Sequence, residues 1–264
     1  MRWLTRKMLR AFFAMAWHTF RTTALGKRGI AITCLGLTPA VGILVASIAR
    51  HPAVVADADA IYKAAMSYVL LGAFTPFAAL FLFSTIIGED VDRGTAPYIL
   101  TRALPRPVLF LAQYRANAAL LLVVAAISMA AFHLTLDLRT PANFRLREMG
   151  AYILAATLAI ISYGSIFGLL AVALRHPMIL GFVFLIYEMS LGSEISAANR
   201  LTLTYYVRSI AYRLVSSPDP SLRGAARPAG LLPAVLTIAA LTFVTLAIAM
   251  TVSAFKELRV QRPS

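Results

Sequence analysis

Six stretches of this chain are apolar over roughly the length that a helix needs to cross a bilayer. That restricts the fold more than any other feature. About 20 residues in a helix rise about 30 Å, the thickness of a hydrocarbon core. The stretches are Ile30–Ala49, Met66–Ile87, Ala116–Leu136, Ala151–Leu174, Met178–Leu191 and Leu231–Phe255. The fifth is short and carries Glu188. Thr38-Pro39 and Thr75-Pro76 fall inside the first two, where kinks are expected and neighbouring helices can satisfy the freed carbonyls. The fold expected is an all-α integral membrane protein of six transmembrane helices, a single domain over residues 1–264.

The remaining composition agrees. Only 14% of residues are charged and 60% are hydrophobic, whereas soluble domains carry about 25% charged residues. No polar segment is long enough to form a separate soluble unit. The net charge is +14, which in a soluble protein would suggest nucleic acid. Here the basic residues crowd the ends of apolar runs, where anionic lipid headgroups are the expected partners and nucleic acid is not. With the N-terminus inside, 15 Lys and Arg fall on cytoplasmic segments against 10 on the other side, so both termini are expected to be cytoplasmic.

Residues 1–29 precede the first run. At 100° per residue Leu4, Met8, Leu9, Phe12, Met15, Ala16 and Phe20 share one face, and Arg6, Lys7, Arg10 and Arg21 share the other with Trp17. This predicts an amphipathic helix lying in the membrane interface. A cleavable signal peptide fits poorly, because arginines continue to Arg21. Between the fifth and sixth runs, Gly192 to Gly230 is too polar to span in its middle and too apolar to be a free loop. An interfacial or re-entrant helix on the outer face is expected, with Tyr205, Tyr206 and Tyr212 at headgroup level. A seventh span over 193–214 is the competing reading.

Catalytic signals are sparse. His18, His51, His133 and His176 are scattered, and no pair has metal-ligand spacing on one helix. No phosphate-binding glycine loop of the G-x-x-x-x-G-K-[ST] type is present, and the chain is not expected to be an enzyme or to hold a metal or cofactor. Cys34, the single cysteine, offers no intrachain disulfide. Asp57 and Asp59 read as a solvated loop. Glu188 is an expensive acid in or near a span and is a candidate intramembrane polar site, within reach of water or an arginine of the following segment. Gly164 and Gly168, at i and i+4, permit close helix approach, with packing inside the chain as the expected use.

The most informative polar stretch is Gly88 to Tyr114. Glu89, Asp90 and Asp92 follow the second run directly, then Arg93-Gly94-Thr95, and Pro105-Arg106-Pro107 precede the third. Between them Pro97 to Leu104 can form about two helical turns. Thr95 is placed to cap it, Pro97 suits its first turn and Pro105 ends it. A short helix held at the membrane face suits a partner that moves two spans together.

Glu89, then Arg93-Gly94-Thr95, Leu100, Pro105 and Arg106, resembles the motif between the second and third spans of type-2 ABC transporter permeases. The layout of basic amphipathic N-terminal helix, six spans and a membrane-associated element between spans five and six is similar over nearly the whole chain. Gln113-Tyr114 stands where members often have a lysine before the third span, and Pro97 within the short helix is a further departure. The resemblance implies a bacterial inner-membrane half-transporter exporting a hydrophobic or amphipathic substrate and pairing with a second copy or a close relative. Two separate ATP-binding subunits, holding ATP and magnesium, would dock on residues 94–107. Glu89, Arg93, Gly94, Thr95, Tyr98, Leu100, Pro105 and Arg106 would form the coupling segment. A membrane transducer that moves no substrate and acts on an outer-face accessory protein is the alternative.

Overall fold

The structure is a computed structural model and describes residues 2–48, 58–86, 105–137, 146–194, 198–215 and 228–255. Among these, every regular element is helical. Helix α1 covers Arg2–Leu25, α2 Lys27–Ile48 and α3 Ala58–Ala64. A π-helical segment, Ala65–Phe74, follows α3 without a break and leads into α4, Thr75–Phe83. Then come α5 (Arg106–Asp137), α6 (Leu146–Ala173), α7 (Pro177–Glu194), a 3-10 turn (Ala198–Leu201), α8 (Leu203–Leu214) and α9 (Leu231–Phe255).

Four units are long and apolar enough to cross a membrane: Ile61–Phe83, Arg106–Thr135, Arg147–Ala173 and Leu231–Phe255. They carry the second, third, fourth and sixth apolar runs. The first run lies on α2, whose 22 residues include Lys27, Arg28 and Pro39. The fifth lies on α7, where the apolar part, Pro177–Ser190, is shorter than a span.

Helix α6 is the centre of the fold, packed against the π-helical segment, α4, α5, α7, α8 and α9. Its small residues explain this position. Ala155, Ala156, Ala159, Ser162 and Ser165 have no exposed surface, and short side chains let helix backbones approach closely. Side-chain contacts set the directions of its neighbours. Thr242 donates to Ser162 at 3.1 Å and Thr245 to Ser165 at 2.7 Å, so α9 runs parallel to α6. Tyr114 donates to the Ile161 carbonyl at 2.7 Å while Phe110 lies against Gly168, so α5 runs antiparallel to it. A Cβ on Gly164 would meet the Phe83 ring at 2.6 Å, and one on Gly168 the Phe110 ring at 3.2 Å. The small-residue pair thus serves packing inside the chain.

Three boundaries differ from the sequence reading. Helix α5 begins at Arg106, ten residues before the run Ala116–Leu136. Pro105 acts as its cap residue, its carbonyl accepting from the amides of Val108 and Leu109 at 2.9 and 3.2 Å. A proline that cannot continue one helix is well suited to open the next. Leu109, Phe110, Ala112, Gln113 and Tyr114 are buried, so the last part of the polar stretch is helix packed in the bundle.

The second difference is in α1. Its half-buried face, which includes Phe12, Met15, Ala16 and Phe20, is turned to protein, and α1 lies along α5. Leu9, Phe13, Trp17 and Leu25 are large apolar residues left exposed. Of the expected apolar stripe, Phe12, Met15, Ala16 and Phe20 are partly covered by the chain itself, while Leu9 is exposed.

The third is the π-helical segment. A proline ring in an α-helix clashes with the carbonyl four residues back, which for Pro76 is that of Gly72. The wider turn removes that register. Both the amide and the hydroxyl of Thr75 donate to the Leu70 carbonyl, the hydroxyl at 2.7 Å. The expected irregularity at Thr75-Pro76 takes the form of ten π-helical residues before the proline.

Candidate functional site

Helix α7 presents a narrow buried stripe, Gly181, Leu185 and Glu188, to the bundle. It runs antiparallel to α6, with Phe184 against Phe167 and Glu188 against Tyr163. Tyr163 is near the middle of the span Arg147–Ala173. Glu188 is 3% exposed and lies where α8 begins.

The carboxylate is fully engaged. Its Oε1 accepts from the Leu203 amide at 2.6 Å. Its Oε2 accepts from the Tyr163 hydroxyl at 2.5 Å, the Thr204 hydroxyl at 2.8 Å and the Thr204 amide at 3.2 Å. Leu203 and Thr204 are the first two residues of α8, whose amides have no partner within the helix. Thr202 occupies the cap position with extended backbone but its side chain makes no capping bond. Glu188, brought from another helix, does the capping instead. A negative charge also suits the positive end of the helix dipole. Glu188 thus reaches the segment Gly192–Gly230, through backbone amides and a threonine hydroxyl.

Helix α8 has 12 residues, about 18 Å of rise, too short to cross a membrane. That removes 193–214 as a single span. It packs on α6, α9 and the π-helical segment through Leu203, Val207, Ile210 and Ala211. At its far end Ser209 accepts from the Ala229 amide at 3.1 Å and Arg213 donates to the Ala229 carbonyl at 3.3 Å, tying α8 to the start of α9.

One turn after Thr204, on the same flank of α8, stands Arg208. Its guanidinium lies over the Tyr68 ring, 4.6 Å from the centroid, a cation–π arrangement. A Cβ on Gly72 would be 2.7 Å from its Nη2, so a side chain there would push the guanidinium aside. The Arg208 Nε is buried and has no hydrogen-bond partner. Arginine remains charged at any ordinary pH. In the sequence Arg208 is simply one basic residue of the segment Gly192 to Gly230. Its signal is positional: it borders the apolar face formed by Leu203, Val207, Ile210 and Ala211.

The predicted coupling residues separate into two groups. Glu89, Arg93, Gly94, Thr95, Tyr98 and Leu100 lie outside the described residues. Pro105 and Arg106 open α5. The flanks of the stretch are firmly placed: Asn117 donates to the Leu82 carbonyl at 3.0 Å and the rings of Phe83 and Tyr114 are 5.3 Å apart. Among the described residues no three His, Cys, Asp or Glu side chains gather as metal ligands. Cys34 is exposed. No protein-family model matches the chain, and no curated protein matches it.

Proposed function

We propose that this chain is the membrane-spanning subunit of an ATP-driven transporter of the type-2 ABC permease kind, exporting a hydrophobic or amphipathic substrate. The observation that carries the reading is the stretch Glu89 to Arg106, with its Arg93-Gly94-Thr95 and Pro105-Arg106 elements, between two spans. On this reading Lys27–Ile48 and Pro177–Glu194 complete six crossings, α8 is re-entrant from the outer face, and both termini are cytoplasmic in a bacterial inner membrane. Two copies pair, and two separate ATP-binding subunits supply ATP, magnesium and hydrolysis. Supporting it, α4 and α5 leave the stretch already joined to each other through Asn117 and Leu82, and to α6 through Phe83 and Tyr114. A push on residues 88–104 would reach the bundle centre through side chains in contact.

The test is copurification with an ATP-binding partner, followed by replacement of the coupling segment with a Gly/Ser linker. The replacement should stop at residue 104, because Pro105 and Arg106 cap and open α5. Loss of ATPase binding with an unchanged thermal melt is the expected result. Retained binding would sink the coupling assignment. ATP hydrolysis in liposomes with no movement of any substrate would instead favour a transducer acting on an outer-face protein.

A further inference from the structure

Arg208 is unusual among the described side chains. Tyr68 and Gly72 are the eighth and twelfth residues of the 23-residue span Ile61–Phe83, so the guanidinium lies well inside the length of a crossing helix. A charge at such depth is costly and ordinarily faces a cavity or a partner. Glu188, the acid in this neighbourhood, is not that partner, since its oxygens accept from Leu203, Thr204 and Tyr163. No described carboxylate pairs with Arg208, and its buried Nε has no acceptor. The position is nevertheless built. Tyr68 supplies a ring, Gly72 supplies space, and the π-helical turn places both on the face that α8 packs against. The flank beside it is open and apolar, with Tyr68 40% and Val69 44% exposed.

A guanidinium offers a planar set of donors that matches the oxygens of a phosphate or carboxylate. An apolar flank next to it suits an alkyl chain. We propose that Arg208, seated between Tyr68 and Gly72, binds the anionic head of an amphiphile whose chain lies along Tyr68 and Val69. The site requires only that the chain be in a membrane or detergent, and it is read without nucleotide or any ATP-binding subunit. Its failure and the failure of the transporter reading are therefore separate results.

The test uses the full chain in nanodiscs of phosphatidylcholine, titrated with dodecyl phosphate, with inorganic phosphate as the headgroup alone. The wild type should bind dodecyl phosphate, and inorganic phosphate should not compete. Arg208→Gln should weaken binding about tenfold or more, the scale of a charge-assisted hydrogen bond. Gly72→Ala keeps the charge but displaces the guanidinium, so it should also weaken binding. This variant reads the site even if Arg208→Gln fails to fold. Arg213→Gln, at the far end of α8, should bind as the wild type does. Displacement by phosphatidylglycerol would assign the site to a bilayer lipid, and resistance to it would assign the site to a free amphiphile; the anion is held at Arg208 in both cases. Wild-type affinity in the Arg208→Gln or Gly72→Ala protein would overturn the proposal, as would equal binding of inorganic phosphate.

Discussion

Glu188 shows how one side chain can decide where a helix starts. Four hydrogen bonds converge on it, two from backbone amides that would otherwise end unpaired in apolar surroundings. Glu188→Ala should therefore lower unfolding stability in detergent by about 2–4 kcal/mol, since hydrogen bonds to charged groups contribute about 1.5–3 kcal/mol each and do not add fully. Hydrogen exchange should accelerate at the Leu203 and Thr204 amides. An unchanged melt with unchanged exchange would refute the capping role. Glu188 itself was legible in the sequence, because an acid in an apolar run stands out. Its partners were not. Tyr163 is 25 positions away on another helix, and Leu203 is 15 positions on, beyond the end of α7.

At the level of elements, hydropathy located four crossing helices well because each apolar run must be buried or face lipid over its whole length. It misplaced the start of α5, since Gln113 and Arg115 break the run while Phe110 and Tyr114 pack against the bundle. The π-helical segment was legible only as a suspected kink, because its form depends on where Thr75 finds an acceptor. The glycines of the helices allow a direct comparison. A Cβ on Gly164 would lie 2.6 Å from the Phe83 ring, whereas one on Gly42 or Gly150 would meet nothing within 4 Å. Gly164→Ala should destabilise the protein by about 1–3 kcal/mol through overpacking. Gly42→Ala and Gly150→Ala should be neutral or stabilising by up to about 1 kcal/mol, because alanine favours the helix. Thermal melts of the three variants side by side would check this, and equal effects would contradict the α4–α6 contact.

Taken whole, the molecule is a set of helices gathered on α6, with one column made of two pieces. Helix α7 ends short and α8 begins beside Tyr163, and Glu188 joins them. That junction has a consequence for biosynthesis. When the ribosome has made α7, the amides that will neutralise its acid do not yet exist, because Leu203 and Thr204 come later in the chain. An 18-residue helix with an unsatisfied carboxylate is a poor candidate for lateral release into lipid. Helix α7 should thus wait for α8 before it settles. In a Cys34→Ser background, a cysteine placed at Leu185 should label with an impermeant maleimide when the chain stops after residue 197. It should become protected when the chain stops after residue 215. Equal protection in both would mean that α7 inserts alone. Order of synthesis matters here as much as hydropathy, because three of the four hydrogen bonds to the α7 carboxylate come from residues translated after it.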